Sequence, residues 1–365
     1  MKGRDIHKST SDGPMVGVLT FHRCVNYGSY WQARCLLEGL RNRGANAIIL
    51  DHDSSRIKAF EWRCALHHVP VGSIPSRDRL CYVLKLLKLS SARAKLPQSR
   101  RFPLEQAPRM EEFDIVVVGS DEVWNLTHPW YGGCRLFFGA GVSAQRLISY
   151  AASFGNYDAN GGLDKVWADY LRRFSAVSVR DLNSQRIVTS ALESSVPLVL
   201  DPCLQFPPRP PRETGPPKIP FLAIYGDKFS KTFVQRVRRF ARSRNLRLLS
   251  VGYHNSWADT QRISASPEEF ASIMANATCI ATNFFHGCIF ALKNRKPFVT
   301  ELSTYRRNKI LGLIEQVGAE KHLLAEDSPA RACERCLGEP LDPDVSTRID
   351  ALRARSNSYL DHALQ

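Results

Sequence analysis

Three polar stretches in this 365-residue chain carry side chains that can hold an anion or move a proton, and each follows an apolar run. Thr282-Asn283-Phe284-Phe285-His286-Gly287-Cys288 offers an imidazole at a strand-to-helix junction. Histidine changes charge near neutral pH, so such a residue serves as a proton donor, as an anion contact, or as a plain structural side chain. Ser178-Val179-Arg180-Asp181-Leu182-Asn183-Ser184 offers a guanidinium at a strand end. Its planar fork suits a phosphate or carboxylate, and equally a structural pair with Asp181. Gly119-Ser120-Asp121-Glu122-Val123-Trp124-Asn125 brings two acids, an indole read as exposed, and an amide. Asp121 fits an acid–base role or the cap of a following helix, and Glu122 reads as a solvated surface acid. Two smaller loops accompany these. Asn26-Tyr27-Gly28-Ser29 opens a helix whose first amides can receive an anion. Tyr150-Ala151-Ala152-Ser153-Phe154-Gly155 has the small residues that allow close backbone approach, or simple sheet–helix packing.

The elements that must position these loops are legible in the hydrophobic pattern. Ile115-Val116-Val117-Val118 reads as a strand buried on both faces, which places it in a parallel sheet covered by helices. Ligands of such sheets bind beyond the carboxyl ends of the strands. Met15–Phe21 predicts a first strand, and Trp31, Cys35, Leu36 and Leu40 recur at helical spacing up to Gly44. A strand over 47–51 completes a βαβ opening, followed by a basic helical stretch over 56–111. Strands are expected at 114–118, 147–151, 176–181 and 197–202, with a helix over 162–173. The segment 205–220 then holds seven prolines in sixteen residues and reads as a stiff linker. Beyond it the alternation restarts, with strands at 221–225, 247–251, 278–282 and 297–301. Helices are expected at 230–244, 267–276, 286–293, 306–317 and 343–363. The predicted architecture is α/β, two Rossmann-like doubly wound domains facing a cleft. Its parts are a disordered leader (1–14), an N-terminal α/β domain (15–204), the linker (205–220), a C-terminal α/β domain (221–340) and a C-terminal helix (341–365).

Composition narrows the function classes. Hydrophobic content of 44% and charged content of 23% are those of an ordinary globular protein. No apolar run approaches the roughly 18 residues of a membrane span. The polar start Met1–His7 lacks the apolar core of a signal peptide, so the expected location is cytoplasmic, with peripheral contact at the inner membrane face as a further option. The net charge of +15 implies an acidic partner. Residues 77–109 carry nine Lys/Arg against Asp78 and Glu105, and residues 231–247 carry seven with no acid. Neither stretch interleaves aromatics, and no nucleic-acid-binding signature is present, so nucleic acid is not the expected partner. The ten cysteines are scattered among apolar segments and read as reduced thiols. Cys333-Glu-Arg-Cys336 has metal or redox spacing, but a zinc ribbon needs a second pair, and no metal is expected.

Taken together, the loops resemble the polysaccharide pyruvyl transferase family. The resemblance rests on Asn26-Tyr27-Gly28 with Gln32, then Gly119-Ser120-Asp121-x-Val123-Trp124-Asn125, Tyr150–Gly155, Ser178-Val179-Arg180-Asp181, Leu200-Asp201-Pro202, and Phe285-His286-Gly287 with Phe290-Ala291. The motifs occur in family order between about residues 16 and 320. The resemblance implies a two-domain fold similar to GT-B glycosyltransferases and transfer of a pyruvyl group from phosphoenolpyruvate to sugar hydroxyls as a ketal. It implies no metal and no cofactor beyond that co-substrate, and a sugar or lipid-linked glycan as acceptor. It points to Arg180, His286, Lys309 and Gly287 for donor binding, with His286 also a candidate proton donor; Asp121 is the further catalytic candidate, for positioning the acceptor hydroxyl or acting as general base. Asn26, Gly28, Ser120, Trp124, Asn125 and Ser153 would line the cleft on the acceptor side. One departure stands out. Phe284 occupies a position where many family members carry Arg and another branch carries Ser, so one anion contact is missing or supplied elsewhere. Lys309 stands where the family commonly has Arg, and Arg306 and Arg307 are candidates to compensate. A related transferase with another donor or a non-glycan acceptor, and a non-catalytic binding module on the same scaffold, are the alternative readings.

Overall fold

The computed structural model describes residues 13–66, 76–106, 110, 112–158, 160, 162–208 and 219–365. The chain begins with β1 (Met15–Leu19), α1 (Tyr27–Arg41) and β2 (Asn46–Ile49). Two short strands, β3 (His52–Asp53) and β4 (Phe102–Pro103), bracket α2 (Ser55–Leu66) and α3 (Ser76–Ala94). β5 (Ile115–Val118), β6 (Arg146–Ser149), α4 (Lys165–Leu171), α5 (Leu182–Leu192) and α6 (Pro202–Gln205) complete the first half. The second half runs β7 (Phe221–Tyr225), α7 (Lys231–Ser243), β8 (Arg247–Val251), β9 (Thr260–Arg262), α8 (Pro267–Asn276), β10 (Cys279–Thr282), α9 (Phe285–Lys293) and β11 (Phe298–Thr300). It ends with α10 (Arg307–Val317), α11 (Ala330–Gly338) and α12 (Pro343–Ala363).

Each half is built on a parallel sheet, with strand order β2-β1-β5-β6 in the first and β11-β10-β7-β8-β9 in the second. The fold is therefore Rossmann-like α/β in both halves. β5 shows why. Val116 and Val118 pack on one face with Trp124, Phe137 and Phe154, while Ile115 and Val117 pack on the other with Leu36, Leu40 and Tyr150. The expected strands at 176–181 and 197–202 form only isolated bridges through Ala176, Val179 and Leu198. Serine side chains interrupt the ladder there: Ser178 Oγ donates to the Ser149 carbonyl at 3.0 Å, and the Ser178 N–H donates to Ser149 Oγ at 3.0 Å.

The halves meet through an apolar joint. Tyr27, Tyr30 and Trp31 of α1 share one core cluster with Phe270 of α8 and Phe290 of α9. Tyr27 stacks on Phe270 at 4.4 Å and donates to the Ala265 carbonyl at 2.7 Å. The terminal helix α12 packs back on the first half, where Tyr359 donates to the Ser149 carbonyl and Leu360 enters the core beside α1. Gln205, read as the first linker residue, is instead buried in α6 and donates to Asn357 Oδ1 at 2.6 Å. Most of the predicted linker and the first twelve residues of the predicted leader lie outside the described residues. Among the described residues, no helix is long and apolar enough to cross a membrane. Cys333 and Cys336 lie on α11 and are buried in the core with Val237 and Phe240 of α7.

Strand order reverses at β1/β5 in the first sheet and at β7/β10 in the second. These are the switch points at which open α/β sheets bind ligands.

Candidate active site

A cavity of about 280 Å³ lies between the two switch points. Asn26 and Ser29 line it from the start of α1, and Asp121 and Glu122 from the loop after β5. Tyr225 closes β7, Phe284, Phe285 and His286 follow β10, and Tyr305, Arg306 and Lys309 follow β11. Glu61 of α2 and Lys85 of α3 also line it. Two helix N-termini thus converge here, α1 from one half and α9 from the other, each presenting the positive end of its dipole.

His286 sits in the first turn of α9, with Phe284 at the N-cap. Its ring lies against the first turn of α1, so tightly that a Cβ added to Gly28 would stand 2.2 Å from Nδ1. Gly28 is thus a glycine for a reason of contact: its missing side chain makes room for the imidazole from the other half. Nε2 is 3.6 Å from Asp201 Oδ2 and has no hydrogen-bond partner. Burial lowers the pKa of His286, against the opposing pull of Asp201 and Asp121.

Arg180 was expected to clamp the donor. The structure instead places it behind the cavity wall. It is 4% exposed, donates to Asp201 Oδ2 at 2.9 Å, and reaches Asp121 Oδ1 at 3.4 Å. Its guanidinium lies 4.4 Å over the ring of Phe285, whose residue lines the cavity. Neighbouring carboxylates thus hold the two terminal nitrogens of its fork, while Nε has no hydrogen-bond partner. Asp121 is no helix cap: no helix follows it. It adopts φ 78°, a left-handed conformation uncommon outside glycine. Ser29 Oγ donates to its carboxylate at 2.9 Å, and its carbonyl accepts from the Ser153 N–H. Burial would raise its pKa, but Arg180, His286 and Lys309 outweigh that and hold it down at about 2. The caps are other acids, Asp181 on α5 and Asp201 on α6.

Glu122 corrects another expectation. It is 5% exposed, not solvated, and forms a buried ion pair with Lys309. Asn125 Nδ2 also donates to it, at 2.8 Å. Lys309 reaches the cavity already paired, which weakens its claim as a donor contact. The cation near Phe284 is Arg306, stacked 4.2 Å over that ring and 3.7 Å from Asp227. Arg307 lines a separate cavity with Arg236. Lys85, inside the basic stretch 77–109, is buried, donates to the Gly252 carbonyl at 2.8 Å, and sits 4.1 Å over Tyr253. Burial pushes its pKa down to about 7.

The other expected cleft residues hold the loops instead of facing the cavity. Trp124 is fully buried and donates from Nε1 to the Phe137 carbonyl at 2.8 Å. Ser120 Oγ donates to Gln32, and Ser153 Oγ donates to Asp181. Gly287 packs its α-carbon against Thr282, where a Cβ would meet Oγ1 at 1.9 Å. The donor atoms of Asp201, Cys203 and His286 lie within 4.8 Å of one another. A cation there would face the Arg180 guanidinium that Asp201 already binds, so this trio is poorly suited to a metal.

The chain path is similar to several solved structures. They include S. aureus MnaA with UDP (12% identity, 88% of this chain and 86% of that one, TM-score 0.49) and the UDP-GlcNAc 2-epimerase of Methanocaldococcus jannaschii (10%, 90% and 92%, 0.48). The glycosyltransferase SnogD of Streptomyces nogalater is a third (11%, 95% and 96%, 0.44). No curated protein matches the chain. The profile of the polysaccharide pyruvyl transferase family matches residues 26–300, a span that contains Asn26 and the start of α1, the loop after β5 and the β10/α9 junction of the cavity. The chain therefore belongs to the polysaccharide pyruvyl transferase family and is an enzyme of the pyruvyltransferase type.

Proposed function

We propose that the cavity takes phosphoenolpyruvate and passes its pyruvyl group to two hydroxyls of a sugar in a glycan or glycan precursor, forming a ketal. The observation that carries this reading is the cavity wall itself: His286, the N-termini of α1 and α9, and the cations Arg306 and Lys85 meet there. Such a wall suits a small, highly charged anion. In the reaction a proton adds to the donor's methylene carbon, one sugar hydroxyl bonds to C2, and the C2–O bond to phosphate breaks. The second hydroxyl closes the ketal. Of the two hydroxyl protons, one replaces the proton that became part of the methyl group and the other leaves on phosphate. His286 is the proton donor: neutral while the site is empty, it gains a proton when a phosphate dianion arrives beside it. Asp121, held ionised, accepts a hydrogen bond from the acceptor hydroxyl and orients it for attack. Arg306 supplies the anion contact that Phe284 cannot. No cofactor beyond the donor is called for.

Calorimetry with phosphoenolpyruvate, together with phosphate release and acceptor mass, tests the reading. Arg306→Gln is expected to weaken donor binding by about tenfold or more, the scale of a charge-assisted contact. Absence of donor binding to the wild-type protein overturns the proposal.

The acceptor side of this reading includes contact with an anionic membrane. On α3, Leu80, Leu84 and Leu87 are 63%, 40% and 52% exposed, and their spacing puts them on one helix face. Arg79 and Lys88 are exposed on the same helix. Leucines flanked by cations suit an anionic lipid surface. Co-sedimentation with phosphatidylglycerol vesicles is expected at low salt and should fall steeply as salt rises. No co-sedimentation at low salt rejects the membrane contact.

A further inference from the structure

A second cavity, of about 200 Å³, adjoins the first and shares Cys24, Val25 and Glu61 with it. It lies beneath α2 and α3, and four cationic side chains line it: Arg23, Lys58, Arg93 and Arg101. Two of these are neutralised. Arg23 binds Asp51 through two nitrogens at 2.9 and 2.7 Å, and Arg101 lies 3.7 and 3.5 Å from Asp51 and Asp53. Arg93 is different. Its side-chain bond is to Ser90 Oγ at 3.2 Å, and no carboxylate pairs with it among the described residues. It is half-buried, and desolvation together with Arg23 lowers its pKa. Lys58 is exposed at the same wall and has no ion pair among the described residues. A half-buried guanidinium crowded by like charge is an unfavourable arrangement that an arriving anion relieves.

The junction carries a second unsatisfied group. Glu61 is 5% exposed, and its Oε1 has no hydrogen-bond partner. Leaving a buried carboxyl oxygen bare costs stability, and a hydroxyl on a ligand spanning the junction would satisfy it. Trp62 and Tyr131 line the same cavity and give a sugar ring apolar faces to rest on.

We propose that the second cavity is the acceptor subsite, and that it takes a phosphate or diphosphate ester of the acceptor sugar. Arg93 and Lys58 hold the phosphate, and Glu61 engages a sugar hydroxyl where the two cavities join. This rests on the first cavity being the donor site. The geometry then sets the order of parts in the acceptor: the charged carrier lies away from the donor, and the sugar lies toward it.

Binding of inorganic pyrophosphate, measured by calorimetry with and without saturating phosphoenolpyruvate, tests the subsite. Pyrophosphate is expected to bind in both conditions. Arg93→Gln and Lys58→Gln should each weaken it by about tenfold or more and leave phosphoenolpyruvate affinity unchanged. Lys58, being exposed, keeps the test intact if Arg93→Gln fails to fold. UDP-N-acetylglucosamine and farnesyl diphosphate separate the carriers: tighter binding of the first points to a nucleotide-linked acceptor, of the second to a lipid-linked one. With whichever sugar diphosphate turns over, Glu61→Ala should raise the acceptor KM, and an unchanged acceptor KM removes Glu61 from the site. The subsite is overturned if pyrophosphate does not bind, if phosphoenolpyruvate displaces it, or if both variants bind it as the wild type does. If phosphoenolpyruvate fails to bind while pyrophosphate binding still depends on Arg93, the donor reading falls and the anion site stands.

Discussion

Replacing His286 with Asn is expected to lower kcat by roughly 10²–10⁴-fold at saturating phosphoenolpyruvate, the loss typical of a positioned proton donor. The side chain has no hydrogen bond to lose at Nε2, so the fold should survive, with the amide occupying the space over Gly28. The pH dependence adds a second signature. With His286 as the proposed proton donor, activity is expected to need the imidazolium, so it should be present at low pH and lost as pH rises through the pKa of His286. Burial lowers that pKa below 6.5 in the free enzyme, so kcat/KM for the donor should break below 6.5. With phosphate bound, the imidazolium is favoured and kcat should break at higher pH than kcat/KM. Gly28→Ala offers a test from the other half of the molecule: its Cβ overlaps the ring, so it should depress activity while His286 itself is intact. Turnover of His286→Asn within about threefold of wild type, or a wild-type kcat flat over roughly pH 5–9, would remove His286 from the chemistry.

The loops that form the site were legible because parallel sheets place them by rule. Once 115–118 reads as a doubly buried strand, the residues after it must lie at the ligand end of the sheet, and Asp121 and Glu122 do. Helices with strong end signals were read to within a residue. α8 begins at Pro267 behind the Ser266–Glu269 capping box, and α12 begins at Pro343. The fate of individual side chains was less accessible. Trp124 looks like loop residue in sequence, yet the 3-10 turn at Arg135–Phe138 folds back to cover it. Three aspartates follow strand-like runs, and sequence alone does not sort them. Asp181 has Ser184 three residues on, and caps the Ser184 N–H at 2.8 Å. Asp121 is followed by Glu-Val-Trp-Asn with no helical repeat, so it is left to face Arg180 and Ser29. Glu61 and Lys85 were missed for a different reason. Both sit on helices in a basic segment whose composition reads as solvated; Glu61 is buried beside Cys24, and Lys85 by a segment 167 residues away, against Gly252 and Tyr253. A contact of that range leaves no periodic trace near either partner.

Arg180→Ala is expected to destabilise the protein by ~3–5 kcal/mol, the cost of leaving buried charge without its partner. Two carboxylates would be stranded. Asp201 is 2% exposed and would keep only the Cys203 N–H and the distant His286; Asp121 would keep Ser29 and the field of Lys309. This outcome separates positioning from clamping. A donor clamp would lose phosphoenolpyruvate affinity and keep its melting temperature, whereas Arg180 behind the Phe285 wall should lose melting temperature first. Arg180→Lys should recover part of the loss, since it restores charge without the two-pronged geometry that joins Asp121 to Asp201. The pH dependence has a definite sign. Asp121 is held down at about 2 against an ordinary value of 3.8, so its share of the stability is present above about pH 4 and lost as pH falls toward 2. In Arg180→Ala the same carboxylate loses its largest stabilising charge and protonates at higher pH, which relieves its penalty. Urea unfolding of the two proteins should therefore show a gap that is widest near neutral pH and narrows on acidification. A neutral-pH gap below about 1 kcal/mol, the scale of an exposed ion pair, would mean that solvent reaches the Arg180 cluster and that its carboxylates need no buried counter-ion.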